Sequence, residues 1–381
     1  MTALGRRFLV VGAGFAGATY ARVLAEAGAR VEVIDRRDHI AGNAYDEVDA
    51  NGMRRHRYGP HLFHTSNERV FRWLERFGEW VPYEHRVEAR LADGRLVPLP
   101  VNRRTVSEVF GVALATPEEV EALLARVAEP NDAPRNAAEY LAARIGRELT
   151  DLFFRPYTKK MWQLDLEDMD AAVVKRIPLR FDDEDRYFPG DRFQALPRHG
   201  YTAIVAAILD HPGITVRTGT AYAHGMEDAY DHCFNSMAID EWFGFRLGEL
   251  PYRSIRFHSR SVAEGGPEPR TSVINYTHSE PFTRETHWHL LPHHRVHETG
   301  RVTVTVEEPC DYRDNALERY YPVKTADGRY QAKYEDYRRL AEALPRMSFI
   351  GRCGTYQYLD MDQVVNQSLA GVERFLTRTA A

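Results

Sequence analysis

The sequence predicts an α/β protein centred on a parallel sheet. Three features carry that expectation: an apolar run at Phe8 to Val11, a helical stretch from Ala18 to Ala27, and a second apolar run at Val31 to Ile34 closed by Asp35. Short runs rich in β-branched residues and bounded by turns are the pattern of strands buried on both faces. Between them, Ala21, Leu24 and Ala25 share one face of the helix, as a crossover packed on such a sheet requires.

The first strand runs directly into Gly12-Ala13-Gly14-Phe15-Ala16-Gly17. A G-x-G-x-x-G spacing alone is weak evidence, but flanked by two strands and followed by an acid it is a dinucleotide fingerprint of the Rossmann type. The alternative, a glycine-rich turn without a ligand, leaves that agreement unexplained. Gly12 permits the tight turn, Gly14 the approach of a pyrophosphate, and Gly17 the packing of helix on strand. Phe15 and Ala16 lie in the glycine turn, and the N-terminal N–H groups of the helix that follows face the pyrophosphate. Asp35 is placed to accept from a ribose hydroxyl. Beyond it come Arg36-Arg37-Asp38-His39-Ile40-Ala41-Gly42-Asn43. FAD enzymes of the glutathione-reductase type carry a similar D-R-x-x-x-x-G-G segment, with Ala41 here in place of the first glycine. An NADP reading would set Arg36 on a 2′-phosphate that Asp35 repels. The expected cofactor is therefore FAD, contacted by Gly12, Gly14, Phe15, Ala16, Asp35, Arg36, Gly42 and Asn43.

A chain of 381 residues exceeds what one core usually holds, so two or three domains are expected. The net charge of -5, with no long run of one sign, argues against nucleic acid as the main ligand. Cys233, Cys310 and Cys353 are too few and too scattered for a disulfide framework or a zinc site, and suit thiols in a reducing cytoplasm. His287 and His289 lie two apart without an obvious third ligand, so no metal site is expected. No apolar stretch reaches membrane-spanning length, and Met1 to Arg7 lacks the shape of a signal peptide. The expected location is cytoplasmic, with no membrane span.

Along the chain, Asp46 to Arg57 predicts a hairpin around Asn51-Gly52. Tyr58-Gly59-Pro60-His61 forms a turn crowded with rings, where His61 either sits beside a ring system or caps the turn. Ser66 or Asn67 caps a helix from Glu68 to Phe77. Tyr83 to Pro100 alternates like a strand pair turning at Asp93-Gly94. From Thr105 to Phe154 the pattern is helical, with capping boxes at Thr116-Pro117-Glu118-Glu119 and Asn136-Ala137-Ala138-Glu139, and reads as an insertion. Phe153 to Trp162 alternates aromatics with cations, suited to a base and a phosphate or to a packed helix end. A helix ends near Leu209, and strands at Ile214 to Thr218 and Tyr230 to Phe234 return to the parallel sheet. Leu250 to Phe257, Thr271 to Tyr276 and Val302 to Val306 predict a second, mainly antiparallel sheet. Tyr330 to Leu344 is helical. Met347 to Ile350 is a strand meeting Gly351, and a last helix from Gln363 is expected to have Asp362 as its N-cap.

Only one dinucleotide fingerprint is present, whereas a flavin reductase holding NAD(P)H on its own domain usually needs two. No G-x-S-x-G elbow occurs. Here the chain resembles the UDP-galactopyranose mutase family almost end to end. The resemblance rests on Gly42-Asn43-Ala44-Tyr45, Tyr58-Gly59-Pro60-His61 with Phe63-His64-Thr65, Phe153 to Trp162, Arg186-Tyr187-Phe188, Gly200-Tyr201-Thr202, Phe282-Thr283-Arg284, Tyr320-Tyr321-Pro322, and Gly351-Arg352 through Asp362. It implies a FAD-binding Rossmann-like domain split along the sequence (1–80, 195–245, 335–381), a helical domain (100–165) and an antiparallel sheet domain (81–99, 166–194, 246–334). It also implies interconversion of UDP-galactopyranose and UDP-galactofuranose. That reaction proceeds by attack of reduced-flavin N5 on the anomeric carbon, so FAD acts as FADH⁻ and an external reductant such as NAD(P)H is a partner. Arg176 and Arg284 match the diphosphate arginines, which with His61 beside the flavin make the catalytic set. Phe153, Phe154, Tyr157, Trp162, Tyr187, Asn275, Tyr321, Tyr358 and Asp360 match the substrate wall. Arg352 and Asp362 match residues returning to the cofactor. The oligomeric state is open, a homodimer included.

Gln357, His287, Asn235-Ser236-Met237 and Pro156 depart from the family pattern. They bear on the sugar and the base, so the same chemistry on another nucleotide sugar is one alternative. A redox flavoenzyme of the amine-oxidase type is another, and would consume an electron acceptor where a mutase would not.

Overall fold

A computed structural model describes residues 5–175 and 179–379. The parallel sheet is five-stranded, with edge strand Ile214–Arg217 followed by Arg30–Ile34, Arg7–Val11, His232–Asn235 and Met347–Phe349. All its pairs are parallel. The first strand alternates between two cores. Phe8 and Val10 face the helices Phe15–Glu26, Tyr201–Leu209 and Met361–Thr379, while Leu9 and Val11 face Ile34, Cys233, Trp242 and Met347. Side chains on both faces are buried, which is why these strands read as continuous apolar runs.

The first helix begins at Phe15, three residues before the expected Ala18, because Gly14 serves as its N-cap in extended conformation. The last helix begins at Met361, with the Val364 N–H donating to the Asp360 carbonyl. Asp362 is therefore not the N-cap. It lies inside the first turn, where a negative charge meets the positive end of the helix dipole, and its Oδ2 accepts from Thr65 Oγ1 at 2.8 Å.

The second sheet has seven strands, from Tyr321–Pro322 through Tyr252–Ala263, Arg301–Asp311, Arg284–His287, Val273–Tyr276 and Val87–Arg90 to Leu96–Leu99. It is antiparallel except where Val273–Tyr276 runs parallel to Val87–Arg90. Strand Tyr252–Ala263 extends beyond the apolar segment because its second half is paired but exposed, and Arg301–Asp311 pairs with it along its whole length. A hairpin joins Asp46–Val48 to Arg54–His56. Phe193–Pro197 bridges Phe63–Thr65 and Trp80–Pro82 in a small third sheet.

The helical region comprises Arg103–Phe110, Pro117–Val127, Ala137–Leu149 and Arg155–Trp162. Both N-caps form, Thr116 accepting from the Glu119 N–H and Asn136 from the Glu139 N–H, while the two glutamates accept from the N–H groups of Ala115 and Arg135, one residue before each cap. Between the last two helices, Thr150–Phe154 makes a single π-turn, a widened coil often found at functional sites. Val106, Val120, Leu124, Leu141, Ile145 and Leu149 form this region's separate core. Among the described residues no helix is long and apolar enough to cross a membrane.

Candidate active site

A cavity of about 740 Å³ runs from the glycine turn of the parallel sheet to the seven-stranded sheet and the helical region. Gly12, Gly14, Phe15, Ala16, Asp35, Arg36, Gly42 and Asn43 all line it. The turn is fixed from both sides. Gly12 N–H donates to the Ile34 carbonyl at 2.7 Å, and Asp35 accepts from Ala13 N–H at 2.8 Å and Arg37 N–H at 2.9 Å. Each Asp35 oxygen keeps a second acceptor position, so closing the turn and meeting a ribose hydroxyl are compatible.

The glycines divide their tasks. A Cβ on Gly17 would stand 1.9 Å from the Gly12 carbonyl oxygen, so that position serves packing. A Cβ on Gly14 would meet nothing closer than Gly42 Cα at 3.6 Å, and its approach is reserved for a ligand. The helix behind Gly14 has no side-chain cap and no acid in its first turn, which suits it to an anion. Ala41 takes the left-handed conformation, φ 70°, that a glycine would adopt freely, at a cost of about 1–2 kcal/mol. Gly351 packs against Ala16, bringing the late strand to the fingerprint as expected.

His61 lines the cavity with its Nδ1–H donating to the Gly59 carbonyl at 2.8 Å, which leaves Nε2 as the unprotonated nitrogen. Burial pulls its pKa down to about 4, against the Gly59 hydrogen bond and with help from Arg352 and Arg284, so the ring is neutral. Arg352 lies over the rings of Tyr321 and Tyr358, 5.4 and 5.2 Å from their centroids. Its buried Nε has no hydrogen-bond partner among the described residues. An approach to Gly14 clear of close protein contacts, an uncapped helix start and an arginine donor in want of an acceptor together fit a dinucleotide cofactor.

On the facing wall, Arg284 is gripped by Glu307 through two hydrogen bonds, Nε to Oε1 at 2.9 Å and an amino nitrogen to Oε2 at 2.8 Å. Burial acts to discharge Arg284, and the charge and hydrogen bonds of Glu307 outweigh it, so the guanidinium stays charged. Tyr321 and Tyr358 stack at 5.3 Å and 17°, with Trp162 inclined to each at 6.1 and 6.4 Å. The π-turn delivers Phe153 and Phe154, and the helix after it delivers Tyr157 and Trp162. Burial raises the Tyr157 phenol well above its ordinary range and pushes Tyr321 up to about 12, so both remain protonated donors. Tyr187, Asn275 and Asp360 line the same cavity.

Two expected site residues stand apart. Arg176 lies outside the described residues. Asp362 is directed to Thr65 and is not on the cavity wall. The structure also adds residues that sequence reasoning passed over. Glu307 is one: a buried arginine requires a carboxylate, but the strand pattern ended at Val306, one residue short of it. Another is Glu318, which with Arg37 ties the loop before Tyr320 to the nucleotide-binding turn. His85 and His64 line the cavity as well, His64 stacked on Phe188 at 3.5 Å and bonded through Nδ1 to Asp191 at 2.6 Å.

Most departures from the family pattern fall away from the cavity. Gln357 is exposed and accepts from Gln367. His287 pairs with Glu285 at 2.8 Å. Pro156 follows the π-turn in the helix Arg155–Trp162 and is not on the cavity wall. Only Ser236 and Met237 reach the wall, at the glycine turn: Ser236 Oγ donates to the Val11 carbonyl and would stand 2.0 Å from a Cβ on Gly12. The expectation that these residues bear on the sugar is thus corrected for Gln357, His287 and Pro156.

Comparison with known proteins agrees with this geometry. Residues 152–358 match the family model for UDP-galactopyranose mutase, and residues 10–77 that for an NAD(P)-binding Rossmann-like domain. A probable UDP-galactopyranose mutase of Klebsiella pneumoniae is 35% identical over 98% of this chain and 96% of its own. A dTDP-fucopyranose mutase of Escherichia coli is 33% identical over 97% of this chain and 98% of its own. A crystal structure of reduced UDP-galactopyranose mutase superposes with a TM-score of 0.78 at 18% identity, covering 99% of this chain and 95% of that one. Putrescine oxidase shares the fold at a TM-score of 0.60 and 14% identity, covering 98% of this chain and 99% of that one. With relatives this similar over nearly its whole length, and a family model spanning the wall that carries Arg284, the chain belongs to the UDP-galactopyranose mutase family.

Proposed function

We propose that this protein is a flavin-dependent isomerase that interconverts UDP-galactopyranose and UDP-galactofuranose. The observation that carries the proposal is the Arg284–Glu307 pair facing the glycine cradle across one continuous cavity. That arrangement sets a fixed cation opposite a dinucleotide site, with stacked tyrosines between. The Rossmann-like domain supports a flavin cofactor, read as FAD held by residues 12–16, 35–36 and 42–43 with Arg352. Bound and reduced, it would supply a nucleophilic nitrogen for the anomeric carbon, with an external reductant restoring that state.

The chain's own residues have separate tasks in this reading. Arg284 and Arg176 meet the diphosphate, and Arg284 favours the charge that grows on it as it leaves. Glu307 keeps the guanidinium in one orientation. Tyr157, Tyr187, Tyr321 and Tyr358 donate to phosphate and sugar oxygens, and burial keeps the Tyr157 and Tyr321 phenols protonated for that task. Phe153 and Phe154 present an apolar slot to the base. Neutral His61 offers Nε2 as an acceptor beside the cofactor. The five-stranded parallel sheet and the seven-stranded sheet support a nucleotide-binding part and a mainly antiparallel part.

The Escherichia coli relative gives a specific second reading, the same chemistry on a dTDP-hexose. Incubation of dithionite-reduced protein with UDP-galactofuranose, and separately with dTDP-fucopyranose, followed by chromatographic separation of the sugar nucleotides, tests both. Formation of UDP-galactopyranose without net flavin oxidation is the expected outcome. Turnover confined to the dTDP sugar would replace the substrate, and acceptor consumption in proportion to substrate would replace the reaction class.

A further inference from the structure

The helix Arg155–Trp162 and the turn leading to Arg284 belong to different parts of the fold, yet one side chain joins them. Lys160 projects from that helix and its ammonium donates to three backbone carbonyls, those of Tyr276 at 3.0 Å, His278 at 2.8 Å and Phe282 at 2.7 Å. An ammonium has three donors, and here all three are used on one turn. That turn links strand Val273–Tyr276, which carries Asn275, to strand Arg284–His287, which begins with Arg284. The helix carries Tyr157, Met161 and Trp162 on its cavity side. Lys160 itself is not on the cavity wall.

We infer that Lys160 is a positioning residue for anionic nucleotide binding, locking the aromatic helix and the Arg284 hairpin into one rigid wall. The inference rests on the reading of that wall as the nucleotide-sugar site. Its specific content is that substrate affinity depends on a charge that never touches the substrate. Three carbonyls on a turn repel one another when brought to one point, so removing the ammonium should open the turn rather than leave it in place. Arg253 holds the same C-terminal end of the helix from another strand, its Nε donating to the Met161 carbonyl at 2.8 Å. With both anchors in place, Tyr157 and Trp162 have a fixed relation to Arg284.

The charge on Lys160 is also within experimental reach. Burial brings its pKa down to about 8, with Glu280 on the turn opposing the shift. His278 and Glu280 on the turn, Lys159 on the helix and Arg253 on the neighbouring strand are the other ionisable groups nearby. Lys159 is paired with Asp165 at 2.9 Å. The cavity phenols Tyr157 and Tyr321 titrate far above this range, and His61 and His85 far below it, at about 4 and about 3. An alkaline loss of affinity that Lys160→Arg abolishes therefore points to Lys160.

The test is calorimetric titration of the FAD-loaded protein with UDP between pH 7.5 and 9.5, where the phosphates are fully ionised and the uracil N3–H begins to ionise. Wild type, Lys160→Met and Lys160→Arg are compared, with flavin content and circular dichroism recorded for each. Lys160→Arg, whose charge persists throughout, should bind within a fewfold of wild type at pH 7.5 and lose with pH only what ionisation of the uracil costs. Wild type is expected to lose about tenfold more affinity across this range than Lys160→Arg does. Lys160→Met is expected to bind about tenfold more weakly at pH 7.5 and to show no alkaline loss beyond that of Lys160→Arg. Wild-type affinity in Lys160→Met at pH 7.5 would overturn the inference while leaving the functional reading intact. Should Lys160→Met fail to fold, an alkaline loss in Lys160→Arg equal to that of wild type would overturn it instead. A wild-type protein that binds no UDP at any pH would remove the functional reading and this inference together.

Discussion

Arg284 is the residue on which the catalytic reading bears most directly. Glu307 is 2% exposed and Arg284 24%, so the pair sits at the wall with its carboxylate sealed behind it. A guanidinium fixed in this way needs little reorganisation when charge develops on a leaving diphosphate, which places its effect on the barrier rather than on binding alone. Arg284→Ala is expected to lower kcat about a hundredfold, a barrier increase on the order of 3 kcal/mol. It should also lower the melting temperature, because Glu307 loses its partner in a dry setting. Arg284→Lys restores charge without the two-pronged geometry and should recover only part of kcat. Steady-state kinetics with reduced cofactor and a thermal melt separate the two effects. Alanine variants that raise KM alone would make Arg284 a binding anchor.

At the scale of elements, the glycine turn makes a prediction that separates folding from ligand binding. Gly17→Ala drives a methyl group into the Gly12 carbonyl, 1.9 Å away, and should destabilise the first helix and sheet whether or not cofactor is present. In Gly14→Val the Cβ meets no protein atom closer than 3.6 Å, and the variant should fold yet purify with little flavin because the branch occupies the pyrophosphate approach. Denaturant melts and flavin absorbance on both variants check this, and a fully loaded Gly14→Val protein would contradict the role assigned to the turn. The turn was legible because its spacing, flanking strands and terminal acid each answer one physical demand. The N-caps at Thr116 and Asn136 were legible for the same reason, since a cap is local chemistry. The start of the last helix was not: Asp360 and Asp362 are both acceptable caps in sequence, and the bond from Thr65, nearly 300 residues away, commits Asp362 to the first turn. Glu307, Glu318 and the carbonyl partners of Lys160 escaped for a related reason. Each takes its meaning from a partner that only the tertiary fold brings near.

Over the whole molecule, buried neutral histidines set a limit on acid stability. His61 N–H donates to His56 Nδ1 at 2.9 Å, the Nε2 atoms of His56 and His294 are 3.1 Å apart, and His294 Nδ1 lies 2.9 Å from the Pro292 carbonyl. Only one arrangement of protons satisfies all three contacts: His294 donates to the carbonyl and accepts from His56, and both rings are neutral. A further proton on either ring would set two N–H groups against each other. Burial accordingly holds His56 well below its ordinary 6.5, and lowers His61 and His294 to about 4 and His85 to about 3. These groups bind protons more readily when the chain is unfolded, so between pH 6.5 and about 4 stability rises with pH. Their contribution is present in full above pH 6.5 and is lost as the pH falls through that window towards the folded-state values. Each such histidine adds up to one proton to the slope of unfolding free energy against pH. Urea melts from pH 7.5 to 4 should show stability falling steeply below 6.5. His294→Gln, which keeps a donor and an acceptor but does not titrate, should be less stable at neutral pH and lose about one proton from that slope. Carboxylates held by arginines lose their advantage lower, as the pH falls through the ordinary carboxylate range. A decline that starts only below pH 4.5, with His294→Gln parallel to wild type, would assign acid sensitivity to the ion pairs and leave the histidine chain a packing feature.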